Sequence, residues 1–109
     1  MGVMSIEQTL VQEVVRRLLT VSKPDRIILF GSAATGQMTR DSDIDLLVVA
    51  SSPANTLEER TRLRQSLRGL GFAFDVFIMA ADRFEESKNI FGGIAYPAHK
   101  YGRVIYEAA

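Results

Sequence analysis

Two aspartates, Asp43 and Asp45, stand two residues apart at the start of an apolar run that extends to Ala50. Such a run is typical of a buried strand, and side chains at i and i+2 of a strand point to the same face. Two converging carboxylates repel each other unless a cation lies between them, and Mg²⁺ prefers oxygen ligands of this kind. The pair therefore predicts a metal site, although ordinary aspartates at a strand edge or in a turn would give the same pattern.

A third carboxylate, Asp75, lies between Phe74 and Val76 on the next predicted strand. If the two strands are neighbours in one sheet, the three carboxylates line one site for a divalent metal. Taken singly, Asp75 fits an ordinary strand-edge or turn residue better than a metal ligand. Asp41 fits an exposed turn better than a metal ligand.

A small turn, Gly31-Ser32, follows a buried strand and precedes a short predicted helix. Glycine lets a phosphate approach the backbone, and a helix N-terminus offers unpaired N–H groups. The turn is thus either a phosphate-binding loop or a plain strand-to-helix connection. A Walker A loop is disfavoured, because Gln37 and Met38 replace the lysine and the hydroxyl residue that the motif requires after Gly36.

The combination of these features is more specific than its parts. Gly31-Ser32, ten intervening residues and then Asp43-Ile44-Asp45 resemble the signature of the polymerase-beta-like nucleotidyltransferase superfamily. The run from Ser42 to Val48 is especially similar to the minimal nucleotidyltransferases, or MNT proteins, which are small prokaryotic proteins that occur beside an all-helical HEPN partner. The resemblance extends over most of the chain, from the first helix to the closing segment 102–107.

The resemblance implies a role for each residue of the signature. Gly31 and Ser32 would hold the triphosphate of the nucleotide, while Asp43 and Asp45 would hold divalent metal ions, Mg²⁺ or Mn²⁺. Asp75 would help to hold the catalytic metal and to activate the attacking hydroxyl. The reaction would join AMP from ATP to that hydroxyl and release pyrophosphate. In known pairs the MNT protein is the antitoxin, and some transfer AMP to a tyrosine of the HEPN toxin.

One position departs from the family pattern. Relatives often carry an arginine after the Gly-Ser turn, and here that position is Thr35. Either Arg40 or a residue of the second helix replaces this cation, or the nucleotide is bound weakly. Two alternatives therefore stay open beside the transferase that modifies a toxin: an antitoxin that acts by binding alone, and a transferase for a small molecule such as an aminoglycoside.

The elements that must position these residues are predicted from apolar periodicity, capping residues and glycine or proline breaks. Ser5 and Thr56 are the predicted N-caps of two capping boxes, and Asp82 caps a short helix. Alternating helices and strands, together with the resemblance, predict an α+β nucleotidyltransferase fold with a mixed sheet of about four strands flanked by helices. The predicted elements are a helix from about Ile6 to Thr20, a strand Arg26–Phe30, a turn and short helix over 31–36, a strand Asp43–Ala50, a helix from Thr56 to near Gly69 or Gly71, a strand Phe72–Met79, a short helix from Asp82, a short helix over 93–101 and a strand Arg103–Tyr106.

Composition bounds the class of protein. The 109 residues include 13 basic and 13 acidic side chains and no cysteine. This length predicts one domain over 1–109, and the absence of cysteine excludes disulfide scaffolds, thiol catalysis and cysteine-ligated metals. Balanced charge disfavours a general nucleic-acid binder. No apolar run approaches the roughly 20 residues of a membrane span, and residues 1–12 lack the features of a signal peptide, so a cytoplasmic protein is expected.

Three further features carry weaker predictions. The single histidine, His99, is a candidate general base, but a place on the surface explains it better. The segment 91–93 and Tyr96 either form a partner surface or cover the sheet. One helix has a basic face, which either meets phosphates or an acidic partner or is simply solvated beside its own acidic residues. That face consists of Arg60, Arg62, Arg64 and Arg68.

Overall fold

The computed structural model describes residues 7–39, 41–51 and 56–109. Five helices and four strands lie within these ranges. They are α1 (Gln8–Leu19), β1 (Arg26–Phe30), α2 (Ser32–Thr35), β2 (Ile44–Ala50), α3 (Thr56–Ser66), β3 (Phe74–Ala80), α4 (Ala81–Ser87), α5 (Ala95–Tyr101) and β4 (Arg103–Glu107). None of the helices in the described ranges is long and apolar enough to cross a membrane.

The four strands form one mixed sheet in the order β3-β2-β1-β4. β1 runs antiparallel to β2 and to β4, whereas β2 and β3 are parallel. Parallel neighbours require a crossover connection, and α3 lies in the segment that provides it. The predicted α+β class and four-stranded mixed sheet are confirmed, and β3 and β4 are the two edge strands.

Helices cover both faces of the sheet, which explains why β1 and β2 read as nearly continuous apolar runs. Side chains alternate between the faces. On the first face α1 and α3 pack on the sheet, and the shared core contains Val14, Leu18, Ile27, Leu29, Leu46, Val48, Leu63, Leu67 and Val76. On the second face α4 and α5 contribute Phe84, Ala95 and Ala98 to a smaller core with Ile28, Phe30, Leu47 and Val49.

The helix starts differ from those that the capping residues predict. α1 begins at Gln8 after an N-cap at Glu7, and Ser5, the predicted cap, lies outside the described residues. Thr56 is itself helical rather than a cap. The predicted Asp82 cap is wrong: β3 runs directly into α4 without a loop, so that the backbone changes at Ala80 and Asp82 falls within the first turn.

The end of α3 and the start of β3 also differ from the predicted boundaries. The helix ends at Ser66, earlier than predicted, because the chain tightens there into i→i−3 hydrogen bonds from the N–H groups of Leu67 and Arg68. The third strand begins at Phe74 rather than at Phe72. Neither shift moves Asp75 out of its strand.

Arg17 ties α1 to the end of α3. Its Nη1 atom donates to the carbonyl oxygens of Ser66 at 3.3 Å and Arg68 at 2.8 Å. Its Nε atom donates to Glu13 at 2.7 Å. The guanidinium thus satisfies carbonyl groups that have no partner within a helix end, and it fixes the two helices that cover the first face.

Candidate nucleotide and metal site

Asp45 and Asp75 stand directly opposite each other on the adjacent parallel strands β2 and β3. Each is the second residue of its strand, so both carboxylates lie at the same end and on the same face of the sheet. Neighbouring strands are about 4.8 Å apart. The strands that carry Asp45 and Asp75 are therefore neighbours, as a shared metal site requires. The predicted strand start at Asp43 is wrong, since β2 begins at Ile44, and Asp43 lies exposed just before it.

Electrostatics link the three carboxylates. Burial raises the pKa of Asp45, and the negative charges of Asp75 and then Asp43 raise it further. All three causes disfavour the charged form of Asp45, and a cation bound among the carboxylates would favour that form. Asp45 is therefore the centre of the acidic group.

The Gly31 turn lies against Asp45. Phe30, the last residue of β1, pairs with Asp45 in the sheet, and Gly31 follows with a φ of 73°. A Cβ atom at this position would collide with the Oδ2 atom of Asp45. Only glycine therefore combines this left-handed backbone with a carboxylate so close to it. Ser32 then opens α2, a single helical turn.

Thr35, the departure from the family pattern, lies at the end of that turn. Its hydroxyl donates towards the carbonyl oxygens of Gly31 at 3.5 Å and Ser32 at 3.4 Å. The side chain therefore points back onto its own helix and offers no positive charge to a phosphate. Arg40, one predicted replacement, lies outside the described residues.

Two aromatic rings extend the site along the second face. Phe77 is two residues beyond Asp75, and its ring centroid lies 5.9 Å from that of Phe30. The guanidinium of Arg60 lies over the Phe77 ring, 5.3 Å from its centroid. The sequence places Arg60 only on a basic helix face. Its position beside Phe77 depends on the crossover from β2 to β3, which no local signal announces.

His99 has no catalytic feature. It is exposed on α5, and its ring meets the Phe84 ring edge-on at a centroid distance of 6.3 Å. The sequence-based prediction that His99 lies on the surface agrees with this position.

The oxygen donors of the site fit a hard divalent cation that takes only part of its ligands from the protein. Among residues 7–39, 41–51 and 56–109, no group of three or more His, Asp or Glu side chains is arranged so that it could hold a metal ion by itself. The opposed carboxylates of Asp45 and Asp75 nevertheless supply oxygen ligands of the required kind. Mg²⁺ usually takes one or two carboxylates and completes its shell with phosphates and water. The site thus fits a cation that arrives with a nucleotide.

Solved structures with the same fold include toxin–antitoxin complexes. One is a toxin–antitoxin complex with AMP-PNP (22% identity, TM-score 0.70, covering 90% of this chain and 73% of that chain). Another is a tri-AMPylated Shewanella oneidensis HEPN toxin in complex with MNT antitoxin (20% identity, TM-score 0.64, covering 94% and 74%). A third is a mutant of the toxin–antitoxin pair MntA-HpeT (20% identity, TM-score 0.67, covering 90% and 73%). At these identities the likeness shows a shared fold, and in the fold the predicted resemblance to MNT proteins is confirmed.

The family comparison covers the whole site. No curated protein matches the chain. The family model described as a nucleotidyltransferase domain matches residues 9–96, a range that includes the Gly31 turn, Asp43, Asp45 and Asp75. The predicted class of enzyme, a nucleotidyltransferase, is thereby confirmed. This chain belongs to the nucleotidyltransferase domain family.

Proposed function

We propose that this protein transfers AMP from ATP to a tyrosine hydroxyl of a helical HEPN-type toxin and acts as its antitoxin in the cytoplasm, with Mg²⁺ or Mn²⁺ as the cofactor. The observation that carries the proposal is the placement of Asp45 opposite Asp75 and against Gly31. Family membership supports the transferase chemistry. The toxin–antitoxin complexes of the same fold, one of them with a tri-AMPylated toxin, support the acceptor.

The reaction forms one bond and breaks another at the α-phosphorus of ATP. The tyrosine oxygen bonds to that phosphorus, the bond to the bridging oxygen of the pyrophosphate breaks, and pyrophosphate leaves. In this proposal Asp75 accepts the hydroxyl proton. Gly31 keeps the backbone open to the triphosphate, and the Ser32 hydroxyl donates to a phosphate oxygen.

The carboxylates require a cation before they can face a triphosphate. Asp43, Asp45 and Asp75 would hold the metal together with phosphate oxygens of the nucleotide and water. When bound, the metal neutralises charge on the phosphates and on the leaving group. Without it, like charges at this spacing repel the nucleotide.

Thr35 favours a second candidate, an antitoxin that neutralises its partner by binding alone. Thr35 is uncharged, and its hydroxyl points back onto α2. The positive charge that relatives often carry at this position therefore has no counterpart there. Such a protein forms a tight complex without ATP, and substitution of the three aspartates leaves that complex intact.

Coexpression with a HEPN-type partner and intact-mass measurement of that partner test the proposal. We expect the partner to gain one or more AMP units with the wild-type chain and none with Asp45→Asn. Asp41→Asn is the matched control, because it removes the same charge from an exposed residue outside the strand. AMP transfer that persists in Asp45→Asn would contradict the assigned site. Protection from the toxin without any AMP transfer would favour the binding-only antitoxin.

A further inference from the structure

The order of the strands separates the two sides of the candidate site. The Gly31 turn ends β1, Asp45 lies on the central strand β2, and Asp75 lies on the edge strand β3. In phosphoryl transfer the attacking and leaving oxygens are roughly in line. If the leaving phosphates are held at the Gly31 turn, the acceptor must approach from the opposite side, across the edge of β3.

A groove lies along that edge. It has a volume of about 740 Å³ and runs between the second half of β3, α4 and the segment before α5. A smaller cavity of about 210 Å³ shares Thr56, Ile78 and Ile94 with it and extends to Arg60 and Phe77. Together they form one surface, the β3-edge groove, which begins at Phe77, two residues from Asp75.

The walls of the β3-edge groove are largely apolar. Ile78 and Ile94 line both parts, and Ile90 lines the larger one although its side chain is 62% exposed. Leu57, which lines the smaller part, is 74% exposed. Large apolar side chains exposed around a groove mark an interaction site rather than a solvated surface.

The charged residues of the groove are all positive. Arg60 and Arg83 line it, and no carboxylate does. Within the described ranges, neither arginine takes part in an ion pair. The Nε atom of Arg60 is buried without a hydrogen-bond partner, whereas the nearby Arg62 pairs with Glu58 at 2.6 Å. A buried N–H group without a partner is costly, and the Arg60 guanidinium, which has no ion pair within the described ranges, would gain by pairing with an incoming carboxylate.

We propose that the β3-edge groove docks the acceptor segment of the partner protein, and that this segment carries apolar side chains flanked by carboxylates. The proposal rests on the proposed function and names the surface that brings the acceptor to its site. The apolar walls favour a protein over RNA, because nucleic-acid interfaces are more polar and far more positively charged. Two residues of strand span about 7 Å, so a tyrosine on the docked segment reaches Asp75 past Phe77.

Site-specific photocrosslinking tests where the partner lies. A photoreactive phenylalanine analogue is placed at Leu57 or at Ile90 in the full chain, coexpressed with the HEPN-type partner. Val104 is the matched control, since it is 50% exposed on β4, at the opposite edge of the sheet. We expect crosslinks from positions 57 and 90 to a partner segment rich in Asp or Glu and apolar residues. Crosslinks from position 104 alone would overturn the proposal.

Charge reversal tests the chemistry of the docked segment. We expect Arg60→Glu and Arg83→Glu each to weaken partner binding about tenfold or more, the scale for loss of a buried charge pair. Arg64→Glu is the control, because Arg64 is exposed one turn further along the same helix and does not line the groove. It should change partner binding by less than about twofold.

The outcomes separate this proposal from the proposed function. If AMP transfer and binding both survive in Arg60→Glu and Arg83→Glu, the groove proposal fails and the transferase stands. If the wild type neither binds the partner nor modifies it, the proposed function fails and the groove proposal with it. Groove-dependent binding of a labelled single-stranded RNA in preference to the partner would also overturn the docking of a protein.

Discussion

The carboxylate of Asp45 occupies the space beside Gly31 that a Cβ atom would need. Two constraints coincide at this point. The backbone of Gly31 has a φ of 73°, which residues with a side chain rarely adopt. The atom nearest to its Cβ position belongs to Asp45, the central carboxylate of the site. The glycine of the Gly-Ser turn therefore does more than admit a phosphate, because it also leaves room for a carboxylate on the adjacent strand.

We predict that Gly31→Ala destabilises the protein more than Gly36→Ala does. Gly36 has a similar φ of 77° with nothing within 4 Å of its Cβ position, so its substitution costs only the left-handed strain, about 1–2 kcal/mol. Gly31 instead combines its φ of 73° with a ψ of −155°, a region that is essentially restricted to glycine, and Gly31→Ala adds the collision with Asp45. Together we expect these to cost at least about 1 kcal/mol more. Urea unfolding measures both.

The pair of substitutions can be checked by a double-mutant cycle. In an Asp45→Ala background the Oδ2 atom is absent, and the cost of Gly31→Ala should fall by the contribution of the collision, while the backbone cost remains. A cost of Gly31→Ala that is the same in the wild-type and Asp45→Ala backgrounds would contradict the collision.

Asp45 should destabilise the protein when no cation is present. We expect Asp45→Asn to raise the melting temperature in a chelator by a few degrees, because it removes a charge that faces Asp75 and Asp43. Mg²⁺ with ATP should raise the melting temperature of the wild type but have little effect on Asp45→Asn. Circular dichroism follows the transition, with Asp41→Asn as the control. An unchanged wild-type melting temperature on addition of Mg²⁺ and ATP would count against a metal site here.

The strand pattern predicts one shared face for Asp43 and Asp45, but it could not place Asp75 beside them. Alternation fixes the side to which a residue points. It does not fix which strands are neighbours, and the order β3-β2-β1-β4 depends on packing of α1 and α3 across the whole sheet. The family resemblance supplied the missing relation, since it implies that the third carboxylate joins the first two.

Rules based on local sequence gave wrong or incomplete predictions where tertiary contacts determine the structure. Asp82 is a good capping residue by type, but β3 continues directly into α4, so that the N-cap is Ala80 and the helix begins at Ala81. Arg60 belongs to a run of arginines, and the local charge pattern gives no reason to assign it a different role from the others. Only the crossover that brings α3 beside β3 distinguishes Arg60 over Phe77 from Arg62, which pairs with Glu58.

Arg17 should contribute more to stability than its neighbour Arg16. Arg17→Met removes two hydrogen bonds to carbonyl oxygens at the end of α3, and we expect a loss of about 1–3 kcal/mol in the free energy of unfolding. Arg16 is 64% exposed and, within the described part of the chain, pairs with Glu13 alone, so Arg16→Met should cost clearly less than Arg17→Met. Chemical denaturation of the two variants decides this. Similar losses would show that the link between α1 and α3 adds nothing.

Glu13 should make the protein more sensitive to acid. Arg16 and then Arg17, through their hydrogen bonds, lower the pKa of Glu13 from 4.5 to about 2. A carboxyl group whose pKa is lower in the folded state stabilises that state above its unfolded pKa, and the contribution disappears as the pH falls. The stabilisation from Glu13 is therefore complete above about pH 4.5 and lost towards pH 2. Unfolding measured across this range should show a shallower decline for Glu13→Gln than for the wild type, and parallel declines would mean that the two arginines do not stabilise the Glu13 carboxylate in solution.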